Sequence, residues 1–124
     1  MMEVGMGLHG EPGVERTAIL SADQTAERIV RRIVEDLPYA RDDEIVLIVN
    51  GYGATTRMEL HILNRKIRSM LAGLGIRVYG TEIGEFCTSQ EMKGASVTFI
   101  RVDQELKGLY DQPCDSPAYR KSAR

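Results

Sequence analysis

A continuous apolar run, Ile45-Val46-Leu47-Ile48-Val49, restricts the possible folds of this chain more than any other segment. Successive side chains of a strand point to opposite faces of its sheet, so a strand without polar alternation must be covered on both faces. Gly51 and Gly53 follow within a few residues, and a helical pattern begins soon after them. The run therefore predicts a central strand that leads through a glycine turn into a helix.

Two amphipathic helices are predicted, over Ser21–Leu37 and Thr56–Leu74. Each opens on a capping box, in which a hydroxyl side chain accepts from a backbone amide and a residue three positions later bonds back. Charged i,i+4 pairs on the first helix indicate a solvated face. The second helix has a polar face that directs His61 toward solvent or another subunit; it carries Arg57, His61, Asn64 and Arg65.

Further strands are predicted over Ile76–Phe86 and Ala95–Val102, and we expect these two to form an antiparallel hairpin. A short helix is predicted from Asp103 to Tyr110, and an irregular tail from Gln112 onward. The predicted fold class is α/β: a two-layer sandwich with a mixed sheet of four or more strands, in the order β-α-β-α-β-β. We expect its core to contain Ile45, Leu47, Val49, Leu60, Leu63, Ile67, Val97 and Phe99.

Composition narrows the class of protein. A chain of 124 residues with 43% hydrophobic content suits one domain. Its formal net charge of −2, with interspersed charges, predicts neither a nucleic-acid nor a membrane partner. No apolar run approaches the length of a membrane span, and the first residues lack the order of a signal peptide, so we expect a cytoplasmic protein.

The two cysteines, Cys87 and Cys114, have neither CxxC spacing nor neighbouring histidines. This pattern predicts no zinc or other metal site and favours free thiols, although two cysteines could form one disulfide.

The glycine turn at Gly51–Thr55 has two possible interpretations. Free amides at a helix N-terminus could hold an anion, but the P-loop lysine is lacking, and a tight turn that leaves the sheet explains the glycines as well. We predict no cofactor on this chain.

The start of the chain places a histidine in a glycine-rich segment, Val4–Gly13. Gly10 and Gly13 permit positive φ, and Pro12 fixes its own φ, so the backbone turns sharply around His9. His9 is expected at the carboxyl end of the first strand. It could be only a polar strand terminus, or it could face a cleft.

Several segments in sequence order carry a resemblance to a known family. They are Gly5-Met6-Gly7-Leu8-His9-Gly10-Glu11-Pro12-Gly13, Val49-Asn50-Gly51-Tyr52-Gly53-Ala54-Thr55, Glu59-Leu60, Ile83-Gly84-Glu85-Phe86-Cys87-Thr88-Ser89 with Met92, and Val102-Asp103. Together they resemble the dihydroxyacetone (glycerone) kinases, and specifically the second domain of the dihydroxyacetone-binding K subunit. The resemblance runs from about Glu3 to Ala118, so we expect a domain over residues 1–118 and a short tail over 119–124.

The resemblance implies a role for His9. In that family, the histidine of this glycine-rich motif adds to the ketone carbon of the substrate and forms a covalent hemiaminal. Such an addition selects a ketone over a polyol, because a polyol has no carbonyl carbon. An acceptor must orient the other ring nitrogen, and Glu11 is the candidate by proximity, although a solvated turn carboxylate is an equal alternative.

The resemblance also implies partners. In the family, a first domain completes the substrate pocket, and a separate nucleotide-binding domain or subunit receives the phosphoryl group from ATP-Mg or from a phosphoprotein of the sugar phosphotransferase system. We therefore expect an excised or separately encoded part of such a kinase, inactive alone, that binds dihydroxyacetone or a related short-chain ketose and forms a homodimer. The alternatives are a catalytically inactive ligand-sensing module of the same family, or a dimerisation domain that uses the polar face of the second helix.

Overall fold

The computed structural model describes residues 1–7 and 9–122. They form three helices and seven strands in the order β1 β2 α1 β3 α2 β4 β5 α3 β6 β7. The helices are α1 Ala22–Asp36, α2 Arg57–Leu74 and α3 Gln104–Tyr110. The strands are β1 Met2–Val4, β2 Glu15–Thr17, β3 Glu44–Gly51, β4 Arg77–Gly84, β5 Ala95–Arg101, β6 Cys114–Asp115 and β7 Arg120–Lys121.

The predicted central strand is confirmed: β3 lies in the middle of a three-stranded sheet with the order β4-β3-β5. It runs parallel to β4 and antiparallel to β5. Leu47 therefore lies opposite Thr81 on one side and Phe99 on the other. The sheet is mixed, as expected, and both edges of the apolar run are paired.

The bounds of the helices follow from their caps. Ser21 Oγ accepts the backbone N–H of Gln24 at 3.3 Å, and the Gln24 side chain accepts the N–H of Ser21 at 3.0 Å. Thr56 and Glu59 form the same reciprocal pair at the start of α2. Gly75 ends α2 with a positive φ of 74°, which glycine adopts without a steric penalty. No helix in the described ranges is long and apolar enough to cross a membrane.

The main core lies between one face of the sheet and the helices α1 and α2. Most residues predicted for it are buried, and Val97 packs against it while partly exposed. The opposite face is bordered by α3 and the C-terminal segment, which leave an open apolar groove of about 450 Å³. Side chains lining it include Val46, Ile48, Ile100, Leu106 and Tyr119.

Three predictions about topology are wrong. β4 and β5 do not form a hairpin, because β3 lies between them and pairs with both. The sheet around β3 has three strands among the described residues rather than four or more. The first strand pairs instead with β2 in a separate antiparallel hairpin, so the predicted order β-α-β-α-β-β misses elements. Pairing partners depend on long-range packing, which local patterns do not specify.

The tail also differs from its prediction. β6 and β7 pair in an antiparallel hairpin, so the segment after Gln112 is not irregular throughout. Tyr119 donates its hydroxyl to Glu82 Oε1 at 3.0 Å, and Lys121 donates to the carbonyl of Tyr110. These contacts hold the hairpin against β4 and α3. Residues 123–124 of the predicted tail lie outside the described residues.

Candidate functional site: the histidine hairpin

His9 lies on the loop of the hairpin formed by β1 and β2, which we call the histidine hairpin (residues 2–7 and 9–17). Its strands pair with Met2 opposite Thr17 and Val4 opposite Glu15. β1 ends at Val4, so His9 lies on the loop and not at the end of the strand, as the sequence had suggested. The residue is exposed to solvent.

Glu3 closes the base of the loop. Its carboxylate accepts the backbone N–H of Gly13 at 2.5 Å and the Arg16 Nε–H at 3.0 Å. A Cβ atom on Gly13 would lie 2.5 Å from Glu3 Cγ, so only glycine permits this approach. The Gly13 N–H, assisted by Arg16, holds the pKa of Glu3 below its usual range. The carboxylate is therefore charged at neutral pH and ties both ends of the loop together.

Glu11 organises the tip of the same loop. Its Oε2 accepts the backbone N–H of His9 at 3.1 Å, and its carbonyl accepts the N–H of Gly7 at 3.0 Å. Gly10, with a φ of 83°, donates its N–H to the carbonyl of Gly7 at 3.0 Å. The carboxylate thus contacts the main chain of His9; its predicted action on the imidazole ring stays a prediction.

The hairpin is docked on α1 above an open cleft. Glu15 forms ion pairs with Arg28 and Arg32, and the N–H of Leu20 donates to the Met2 sulfur at 3.4 Å. The cleft between the hairpin and the rest of the domain has a volume of about 610 Å³, and its lining reaches Met6 of the histidine loop. Other lining side chains include Val4, Ile29, Tyr52, Leu63 and Met92.

The glycine turn after β3 faces this cleft, and two of its amides are paired. Tyr52 N–H donates to the Gly94 carbonyl at 3.2 Å, and Ala54 N–H donates to the Met92 carbonyl at 3.1 Å. Gly53 has a φ of 104°, and a Cβ there would lie 2.9 Å from the backbone nitrogen of Glu91. Of the two readings of this turn, the structure supports the tight turn, with glycine required for the close approach of the 89–94 segment.

Asn50, which the sequence reasoning did not single out, holds the end of β4 in place. It is buried, with 5% exposure. Its Oδ1 accepts the N–H groups of Phe86 and Cys87 at 2.8 and 3.0 Å, and its Nδ2 donates to the Cys87 carbonyl and to Ser96 Oγ. The sequence did contain one signal for this role: Asn50 is a single polar residue at the end of an apolar strand, and a buried amide side chain needs hydrogen-bond partners.

The polar face of α2 is partly engaged within the domain. Arg65 forms an ion pair with Asp23 of α1, whereas His61 is exposed and, with Arg57 and Asn64, lines a shallow depression against β4.

Cys87 and Cys114 are both free and exposed. Within residues 1–7 and 9–122, no three His, Cys, Asp or Glu side chains are grouped to hold a metal ion.

This fold and loop define the class: a mixed α/β domain that presents one exposed histidine on a glycine-rich loop pinned by carboxylates. The chain belongs to the Dak1 domain family, whose sequence profile matches residues 1–118.

Among curated relatives, the chain is 38% identical to the dihydroxyacetone-binding subunit DhaK of the PTS-dependent dihydroxyacetone kinase 2 of Listeria innocua. That match covers 96% of this chain and 36% of the relative. It is also 36% identical to the L-erythrulose kinase of Pectobacterium atrosepticum, over 99% of this chain and 22% of the relative. The chain thus spans between about a fifth and two fifths of the length of these proteins.

Two solved structures share the fold closely, each with a TM-score of 0.82, 28% identity and coverage of 88% of this chain. One comes from work on regulation of the dha operon of Lactococcus lactis and is covered over 35% of its length. The other is the dihydroxyacetone kinase operon co-activator Dha-DhaQ, covered over 34%.

Proposed function

We propose that this chain contributes His9 to a dihydroxyacetone kinase, as the residue that binds the ketone substrate covalently. The observation that carries the proposal is the presentation of His9: its side chain is exposed, while its backbone N–H is held by Glu11 within a closed loop. A nucleophile on a fixed backbone loses less freedom when it reacts than one on a mobile chain.

The chemistry requires one addition step. The unprotonated ring nitrogen of a neutral imidazole attacks the ketone carbon, a C–N bond forms, and the π bond of the carbonyl breaks. The oxygen takes a proton, and the other ring nitrogen loses one, so the product is a neutral hemiaminal. Glu11 is proposed as the group that orients the ring or receives that proton, since its carboxylate already lies against the main chain of His9.

The substrate class is a short-chain ketose with a primary hydroxyl. Relatives named for dihydroxyacetone and for L-erythrulose share 38% and 36% identity with this chain, and both compounds are ketoses. The remaining steps need groups supplied by another domain or subunit: the rest of the pocket, and a phosphoryl donor that is either ATP-Mg or a phosphoprotein. We also propose that the protein forms a homodimer and is located in the cytoplasm.

A second function is favoured by one specific observation, the likeness to an operon co-activator at a TM-score of 0.82. In this alternative, the domain binds the ketose without phosphoryl transfer and acts as a ligand-sensing or dimerisation module. The covalent step at His9 would be compatible with sensing, so the two functions differ only in the steps after the adduct has formed.

The test is a titration of carbonyl-¹³C dihydroxyacetone followed by NMR, with the chain alone and with the first domain of a DhaK relative added. We expect the ketone signal to convert to a tetrahedral carbon signal only when both are present, because the isolated chain has an incomplete pocket. His9→Ala is the test variant and His61→Ala the matched control, since these are the two histidines of the chain.

Adduct with the wild type and His61→Ala but not with His9→Ala supports the proposal. Adduct that persists in His9→Ala, or no adduct in any mixture, contradicts it. Adding the nucleotide-binding subunit and ATP-Mg then separates the alternatives: phosphorylated product indicates the kinase, and adduct without product indicates the sensor.

A further inference from the structure

We propose that Glu15 is a positioning residue that sets the placement of His9 relative to the body of the domain, through its ion pairs with Arg28 and Arg32. The inference rests on the proposed function for its consequence in substrate binding. Its structural content, the control of hairpin orientation by one carboxylate, stands apart from that function and is tested separately.

The histidine hairpin is built as a unit of its own. Backbone pairing joins β1 to β2, Glu3 binds Gly13, and Glu11 binds the main chain of His9. All these contacts lie within the hairpin, so they fix the shape of the loop and leave its orientation to other groups. An orientation contact must reach from the hairpin to the helices or the sheet.

Glu15 makes such contacts with two side chains on α1. Its two oxygens bind different arginines, Oε1 to Arg28 and Oε2 to Arg32, the second at 3.2 Å. The arginines are four residues apart, so they lie on one face of α1, one above the other. A carboxylate held at both oxygens by neighbouring turns of a helix is fixed in direction as well as in distance.

The ion pairs of Glu15 are partly shielded from solvent, unlike the exposed pair between Arg120 and Asp115. The Glu15 side chain is 30% exposed, and those of Arg28 and Arg32 are 37% and 45% exposed. In the pair between Arg120 and Asp115, the side chains are 80% and 73% exposed. Partial shielding reduces screening by water and salt. Arg28, followed by Arg32, holds the pKa of Glu15 below its usual range, so the carboxylate is charged at neutral pH.

The cleft gives the hairpin room to change its orientation. About 610 Å³ of open space lies between the hairpin and the rest of the domain, lined on the hairpin side by Met2, Val4 and Met6. Of these three residues only Val4 is buried, so apolar packing that could fix the hairpin without charges is confined to one side chain. With the cleft open, loss of the Glu15 contacts permits rotation of the hairpin, and His9 moves with it.

The first experiment measures orientation without any substrate. A nitroxide label on Cys87, in a Cys114→Ser background, reports on the ¹⁵N amide of His9 through paramagnetic relaxation. We compare Glu15→Gln with the control Glu27→Gln, which removes an ion pair of similar exposure between α1 and Lys66 of α2 and leaves both Glu15 contacts in place. We expect at least a two-fold change in relaxation of the His9 amide for Glu15→Gln and none for Glu27→Gln. Equal relaxation in both variants and the parent overturns the proposal.

The second measurement connects orientation to binding. With the first domain of a relative present, Glu15→Gln should weaken adduct formation about three- to ten-fold, the range that loss of two partly exposed ion pairs allows. The amide exchange of His9 and Gly13 should stay unchanged, because their bonds lie inside the hairpin. Loss of that protection would indicate an unfolded hairpin and overturn a purely positioning role.

Two further outcomes are distinguishable. If the wild type forms no adduct, the proposed function fails, while the relaxation measurement still decides the placement of the hairpin. If Glu15→Gln does not fold, Arg32→Gln serves instead, since it removes one contact and leaves Arg28 on Glu15. That variant should show a smaller shift of the same signals, and an unchanged signal there contradicts the proposal.

Discussion

Asn50 and Cys87 are joined by two hydrogen bonds in opposite directions. Asn50 Oδ1 accepts the Cys87 N–H at 3.0 Å, and Asn50 Nδ2 donates to the Cys87 carbonyl at 2.7 Å. One amide side chain at the end of β3 thus replaces a backbone partner for the segment that joins β4 to β5. The contact lies immediately before the glycine turn at the cleft, so it supports the wall opposite the histidine hairpin.

Asn50→Ala should therefore lower the free energy of unfolding by about 2–4 kcal/mol, because it removes all four hydrogen bonds that the buried Asn50 side chain makes. Urea denaturation at neutral pH measures this. The control is Asn64→Ala, since Asn64 Oδ1 is buried without a hydrogen-bond partner among the described residues. We expect a change of about 0.5 kcal/mol or less for the control; equal losses in both would contradict the assigned role of Asn50.

Leu47 tests the placement of the core. It is fully buried at 0% exposure between the sheet and the helices, so Leu47→Ala should cost about 2–5 kcal/mol. Leu109→Ala is the matched control, because Leu109 is 64% exposed on α3 and loses little buried surface. Thermal or urea unfolding that moves equally for the two variants would show that β3 is not the centre of the core.

Two glycines with opposite surroundings give a backbone prediction. Gly53→Ala should lose about 1–3 kcal/mol, since residue 53 has a φ of 104° and the new Cβ would contact the Glu91 nitrogen. Gly73→Ala should gain about 0.5 kcal/mol, because Gly73 lies within α2 with open space at its Cβ position. A gain for both would indicate that the turn after β3 is free to adjust.

Glu44 gives a dependence on pH. It binds the ammonium of Lys107, a residue with only 8% exposure, and lies 3.8 Å from Arg77. Lys107, and to a smaller extent Arg77, holds the pKa of Glu44 below its usual range. A carboxyl whose pKa is lower in the folded state contributes stability that is present above its unfolded pKa and lost as the pH falls through the folded value.

The measurement compares urea unfolding of the wild type and Glu44→Gln at several pH values. The difference in stability between them should be large near neutral pH and should shrink as the pH falls below ~4. Asp115→Asn is the control, because its pair with Arg120 is exposed on both sides and should give little difference at any pH. A difference for Glu44→Gln that is constant with pH would contradict the ionic contact.

Helix α2 shows how far local pattern predicted this fold. Its capping box at Thr56 and its end near Gly75 are properties of neighbouring residues, and the structure confirms both. The apolar run of β3 likewise required cover on both faces and pairing on both edges. The hairpin predicted between β4 and β5 is wrong, because these two strands, close in sequence, are separated in space by β3.

The candidate site was also predicted from the sequence only in part. His9 and Glu11 were predicted from a short motif and from proximity along the chain, and the structure gives them a direct main-chain contact. Glu3 and Glu15 were not singled out, since each resembles an ordinary surface glutamate in sequence. Their importance depends on Gly13, Arg28 and Arg32, which lie 10 to 17 residues away along the chain.

The sequence by itself determined the helix caps, the buried central strand, the glycine-rich motif around His9 and the family, because each depends on residue identity within short windows. Tertiary structure alone decided the strand order, the docking of the hairpin on α1 and the open cleft beneath it. These depend on which distant groups satisfy buried polar atoms and charges at the same time, and such choices arise only when the whole chain is packed.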